Sequence, residues 1–135
     1  MPTTLDDMGR LFRRMQDISI TSIPLNPFDV ILMNRWEVST YRAFAQVMGV
    51  DAGVMEREIS PRAFSFYSFS NETFIIVYNS DALPEKITFG LAHEIGHILH
   101  GHISPRNPVL ARWDENKLER DALADQFARF ALKLS

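Results

Sequence analysis

The chain has 135 residues, 46% hydrophobic and 23% charged, the balance of an ordinary globular domain. Its 17 acidic and 14 basic side chains give a formal charge of −3, which excludes the basic footprint of a nucleic-acid or anionic-lipid binder. Cysteine is absent, so disulfides, thiolate metal ligands and a cysteine nucleophile are excluded together, and any metal site must use His, Asp or Glu.

The first residues, Met1 to Gln16, carry Asp6 and Asp7 and lack an uninterrupted apolar run, so no secretory signal is expected. No stretch approaches the roughly 20 apolar residues of a membrane span, and a cytoplasmic location is the expectation. Leu5, Met8, Leu11, Phe12 and Met15 recur at three- and four-residue spacing, which predicts an amphipathic helix. Its apolar stripe is read as core-facing, with a partner or oligomer surface as the rival. Asn26 followed by Pro27 has the form of an N-cap with Pro at the first helical position, predicting a short helix from Pro27 to Asn34. Trp36 to Tyr41 admits two readings: a strand, or a helix capped by Ser39 and running to Gly49.

Ala63 to Phe69 alternates, with Phe64 and Phe66 on one side and Ser65, Tyr67 and Phe69 on the other, and Thr73 to Tyr78 is a β-forming run. With Ser70, Asn71 and Glu72 as the turn, a β-hairpin is predicted. Ile87, Leu91, Ile95, Ile98 and Leu99 then follow a helical period, ended by the prolines of Ser104 to Pro108. A last helix is predicted from Asn116 to Leu134. The fold class is α+β: a single domain over 1–135 with helices packed on a small mixed sheet and the two C-terminal helices in contact.

The chemistry is carried by His93-Glu94-Ile95-Gly96-His97 on the central helix. Residues four apart share a helical face with Cβ atoms about 5–6 Å apart, so His93 and His97 can converge on one Zn²⁺. Glu94, one step along, can border the open coordination position and serve as general base for a metal-bound water. A catalytic zinc normally has a third protein ligand. His100 and His102 are near in sequence, but His100 is read as a surface residue or a hydrogen-bond partner of a ligand. The last helix offers Glu119, Asp121 and Asp125. Asp121 and Asp125 share a face, so that one can bind the metal while the other orients a ligand histidine, whereas Glu119 points roughly 200° away from Asp121.

The run Phe89-Gly90-Leu91-Ala92-His93-Glu94-Ile95-Gly96-His97-Ile98-Leu99-His100, the later Ala124-Asp125-Gln126-Phe127-Ala128, and the strand Ile75 to Asn79 resemble the ImmA/IrrE family of small metallopeptidases, which occur in phage-immunity and bacterial stress-response systems. The resemblance covers about the C-terminal half. It implies a small zincin-like domain with zinc as cofactor. It also places the third ligand at Asp121, where that family has Glu, a side chain one methylene longer, and this leaves Asp125 to contact a ligand imidazole. Family members of this kind act on a separate DNA-binding repressor, so the implied partner is a helix-turn-helix regulator and not nucleic acid itself.

The expected reaction is zinc-assisted peptide-bond hydrolysis with Glu94 as base. The strand Thr73 to Tyr78 either aligns an extended substrate by edge pairing or lies in the interior. The rival to an enzyme is a regulatory or binding module that keeps the fold and cleaves nothing. Intact Glu94 weighs against that rival, and the shorter Asp121 weighs for it.

Overall fold

A computed structural model describes residues 5–110 and 115–134. Helix α1 spans Leu5–Asp17 and α2 spans Pro27–Met33, followed by strand β1 at Glu37–Thr40, α3 at Tyr41–Met48 and α4 at Ala52–Glu58. Strands β2, Ala63–Ser68, and β3, Thr73–Tyr78, precede α5 at Pro84–Leu99 and α6 at Lys117–Ala131. This is the expected α+β architecture, with helices on a three-stranded mixed sheet. No helix among the described residues is long and apolar enough to cross a membrane.

The local signals act as their chemistry requires. The Asn26 side chain accepts from the N–H groups of Phe28 and Asp29 at 3.0 and 3.4 Å, and Pro27 opens α2. Both readings of the segment after Trp36 are realised in succession, as β1 and then α3. The cap of α3 is Thr40, not Ser39: its Oγ1 accepts from the Ala43 N–H at 3.1 Å. Gly49, at φ 71°, closes α3 in a left-handed conformation. Helix α4 was not expected. It buries only Met55, so its sequence carries no apolar period, and Asp51 starts it by accepting from the Gly53 N–H.

The sheet order is β1-β3-β2, with β1 parallel and β2 antiparallel to β3. β3 is therefore interior, and Ile76 and Val77 have 0% exposure. The edge-pairing role considered for Thr73 to Tyr78 is excluded, because both its edges are already paired; β2 is the edge strand beside α5. Successive residues of β3 serve opposite faces. Ile76 joins a core with Leu91, Ile95, Ile98 and Phe127, while Val77 joins Tyr41, Ala45 and Met55 beneath α3 and α4. Met15 and the half-buried Leu11 pack into the first of these cores, which supports the core-facing reading of α1.

Helices α5 and α6 approach most closely at Gly96. A Cβ there would meet the Cα and carbonyl oxygen of Ala124 and a ring carbon of Phe127, each at 3.1 Å. Two of those contacts are backbone and cannot rotate away. Gly96→Val is expected to destabilise the protein by about 1–3 kcal/mol through overpacking. Gly9→Ala on α1, where nothing lies within 4 Å, should instead stabilise by roughly 0.5–1 kcal/mol through helix propensity. Denaturant titration of both variants checks the contrast, and equal effects would show that the α5–α6 contact is not tight.

Candidate metal centre

Four segments converge on one point. Helix α5 presents His93, Glu94 and His97, α6 presents Asp121 and Asp125, β2 presents Ser65, and the turn after α5 presents His102. The Nε2 atoms of His93 and His97 are 3.0 Å apart. Asp121 Oδ1 lies 3.2 Å from the His97 Nε2 and 3.6 Å from that of His93. These three atoms form a near-equilateral triangle. A four-coordinate ion with bonds of about 2.0–2.1 Å has ligand–ligand edges of about 3.3–3.4 Å, so the triangle has the size of one face of a tetrahedral site.

The opposite ring nitrogens are also engaged. His93 Nδ1 lies 2.5 Å from Asp125 Oδ1, and since a carboxylate only accepts, the ring donates there and a neutral imidazole keeps its Nε2 lone pair bare. His97 Nδ1 is 2.9 Å from His102 Nδ1. With the His97 ring donating in that contact, two bare Nε2 atoms face one another at 3.0 Å. Lone pairs at this separation repel unless a cation lies between them, and the donor set therefore fits a metal ion.

Glu94 offers a second way to complete the set: one donor atom from each of His93, Glu94 and His97 lies within 4.8 Å of the other two. Its Oε2 is 3.9 Å from His93 Nε2, and its Oε1 accepts a 2.7 Å hydrogen bond from the Ser65 hydroxyl. Asp121 approaches both imidazoles more closely. Its other oxygen accepts from Lys117 Nζ at 2.6 Å, an i,i+4 pair on α6.

Electrostatics follow from burial. Glu94 is only 7% exposed. Desolvation is the main cause that pushes its pKa up from 4.5 to about 8, opposed by the Ser65 hydrogen bond and reinforced by the Asp121 charge. Burial likewise lowers His97 from 6.5 to about 3, assisted by His93 and His102. Desolvation also lowers His102, to about 4, with His100 and Arg120 adding to it. For Asp121, burial works to raise the pKa, but the Lys117 hydrogen bond and charge, with His97 and His93, hold it below its ordinary value.

His100, the C-cap of α5, turns to Arg14 on α1, with Nδ1 3.3 Å from the guanidinium. It stands outside the triangle. Glu119 and Glu115 are exposed. Sequence reasoning passed over Ser65 and Lys117 and gave His102 no role. A serine at an inward position of an otherwise aromatic strand was the available signal for Ser65. For His102 it was Gly101, whose φ of 73° reverses the chain so that the His102 N–H bonds back to the His97 carbonyl at 2.9 Å.

A groove of about 630 Å³ opens over these residues and continues around the edge of β2. A helix-borne His-Glu-His set beneath a groove, on helices backed by a small mixed sheet, defines a metallopeptidase-type domain. The IrrE N-terminal-like domain family, peptidase M78, matches residues 47–134, a span from α3 to the end of α6 that includes every residue of the centre. The chain belongs to that family. No curated protein and no solved structure matches it.

In chelator-treated protein the shifted groups oppose one another across the pH scale. Glu94, raised from 4.5 to about 8, favours the fold below 4.5 and loses that contribution as pH climbs through 8. His97 and His102, lowered from 6.5 to about 3 and about 4, favour the fold above 6.5 and lose their contribution as pH falls through those values. Asp121, lowered from 3.8, adds to the loss in acid. Two histidine contributions outweigh that of Glu94 between 4.5 and 6.5, so the melting temperature of the metal-free protein should rise to a maximum near 6.5 and fall above it as Glu94 loses its contribution. A melting temperature that keeps rising from pH 6.5 to pH 8 would contradict the burial of a protonated Glu94.

Proposed function

We propose that this protein is a zinc-dependent endopeptidase that cuts a protein partner at a specific site. The observation that carries the reading is the triangle of His93, His97 and Asp121 beside a buried carboxylate. In this reading those three residues hold the ion, with Asp125 and His102 fixing the imidazole orientations from behind. Bound zinc would polarise the scissile carbonyl and acidify a water. Glu94, desolvated and held by Ser65 at one oxygen, takes the proton at its other oxygen and returns it to the leaving amine. Burial alone favours the protonated form, whereas the cation that the site would hold favours the carboxylate, the form that can take the proton.

The edge strand β2, and not β3, supplies the main-chain groups that would align an extended substrate. The partner class proposed is a separate helix-turn-helix repressor. What supports it is the family resemblance, and the net charge of −3 supplies no overall basic excess for direct binding to nucleic acid. The rival, a metal-holding module that cleaves nothing, draws on Lys117, which engages one oxygen of Asp121 at 2.6 Å.

Glu94→Gln separates the two. Glutamine keeps the reach of glutamate and can still accept from Ser65, but it is no base near neutral pH. Zinc content by elemental analysis should be unchanged, and hydrolysis of a cleaved repressor should fall by about 10²–10⁴-fold. Asp121→Ala should lose stoichiometric zinc. If wild type and Glu94→Gln both bind the partner and neither cuts it, the module reading replaces the peptidase.

A further inference from the structure

Lys117 is placed against two rules of helix stability. It opens α6, where the helix dipole disfavours a cation, and it stands four residues before Asp121, the weaker orientation for an ion pair along a helix. The contact is nonetheless short: Asp121 Oδ2 accepts from Lys117 Nζ at 2.6 Å, with the lysine side chain 42% and the aspartate 29% exposed. Helix stability does not account for this pair. Its use lies in what the ammonium does to the carboxylate.

The two oxygens of Asp121 keep different company. Oδ1 lies 3.2 Å from His97 Nε2 and 3.6 Å from His93 Nε2, whereas Oδ2 is taken by the ammonium. Lys117 therefore engages the oxygen that stands away from the triangle and leaves the facing one uncommitted. A lysine that competed with a cation for the site would take the facing oxygen instead. Asp125 extends the arrangement by one turn. Lys117, Asp121 and Asp125 recur every four residues along one stripe of α6, and Asp125 Oδ1 accepts from His93 Nδ1 at 2.5 Å. That stripe thus holds a ligand carboxylate by its outer oxygen and a ligand imidazole by its outer nitrogen.

The consequence is in the coordination number. A carboxylate with both oxygens free can hold a metal ion through one of them or chelate it with both. Chelation by Asp121 would fill the corner that a catalytic zinc keeps for water or substrate. An ammonium on Oδ2 prevents this, because it engages that oxygen in a charge-assisted hydrogen bond and repels a second cation drawn toward it. We propose that Lys117 is a positioning residue that holds Asp121 to one-oxygen coordination and so keeps the fourth corner of the metal centre open. The proposal rests on the zinc reading of the centre and is independent of whether a peptide is cut.

Cobalt(II) loaded into the full chain in place of zinc provides the test, since four-coordinate cobalt absorbs strongly in the visible and five- or six-coordinate cobalt weakly. Lys117→Met and Lys117→Ala remove the ammonium from a part-exposed helix end, so both should keep the far-UV circular dichroism of the wild type. With stoichiometric cobalt bound, the wild type is expected to show the strong spectrum and both variants to lose its intensity severalfold. Crystals of zinc-loaded Lys117→Met should show both Asp121 oxygens on the ion. A strong spectrum retained in either variant, or a weak one in the wild type, overturns the positioning role and leaves the metal centre standing. If elemental analysis finds no cobalt in the loaded wild type, the metal centre itself fails and the role of Lys117 fails with it.

Discussion

The crossing of α5 and α6 at Gly96 and Ala124 is the contact on which the site depends. Gly96 precedes His97 by one residue, and Ala124 follows Asp121 by three, so the closest point of the two helices lies within a turn of the donors. With no side chain at position 96, the Ala124 backbone comes to 3.1 Å from where a Cβ would stand. That proximity brings Asp121 Oδ1 to 3.2 Å from the His97 ring. In the proposed ligand role the shorter aspartate suffices because the helices are this close. A bulkier residue at 96 would move α6 away and take Asp121 and Asp125 with it.

Around that crossing the polar groups form a connected set in which each partner limits the next. Asp125 and His102 hold the outer nitrogens of the two imidazoles, Lys117 holds one oxygen of Asp121, and Ser65 holds one oxygen of Glu94. Every buried side-chain nitrogen or oxygen among the described residues has a hydrogen-bond partner. The Nε2 atoms of His93 and His97 lie 3.0 Å apart, and Asp121 Oδ1 faces them at 3.6 and 3.2 Å. Burial then acts on the protonation states: it lowers the proton affinity of His97, which suits a metal ligand, and raises that of Glu94.

Much of this was legible in the sequence because it is local. The i,i+4 spacing of His93 and His97, the shared face of Asp121 and Asp125, the Asn26-Pro27 cap and the alternation of β2 each need only a few neighbouring residues. What escaped is long-range or quiet. The Ser65–Glu94 bond joins residues 29 apart, and no local pattern reports that a strand edge will lie against a helix. The interior place of β3 depends on β1 pairing beside it in parallel, a crossover that composition does not encode. Helix α4 buries one side chain and so lacks the period by which helices are recognised. The segment after Trp36 resisted assignment because a four-residue strand and an eight-residue helix meet at Thr40 with no turn residues between them.

The central claim is that His93, His97 and Asp121 form three corners of a tetrahedral zinc site. A crystal structure of the zinc-loaded protein, with anomalous data collected on both sides of the zinc absorption edge, tests it most directly. The account predicts one peak at about 2.0–2.2 Å from the Nε2 atoms of His93 and His97 and from Asp121 Oδ1, with the Glu94 carboxylate unbound. A peak ligated by Glu94 or His102 in place of Asp121, or no zinc peak between the two imidazoles, would contradict it.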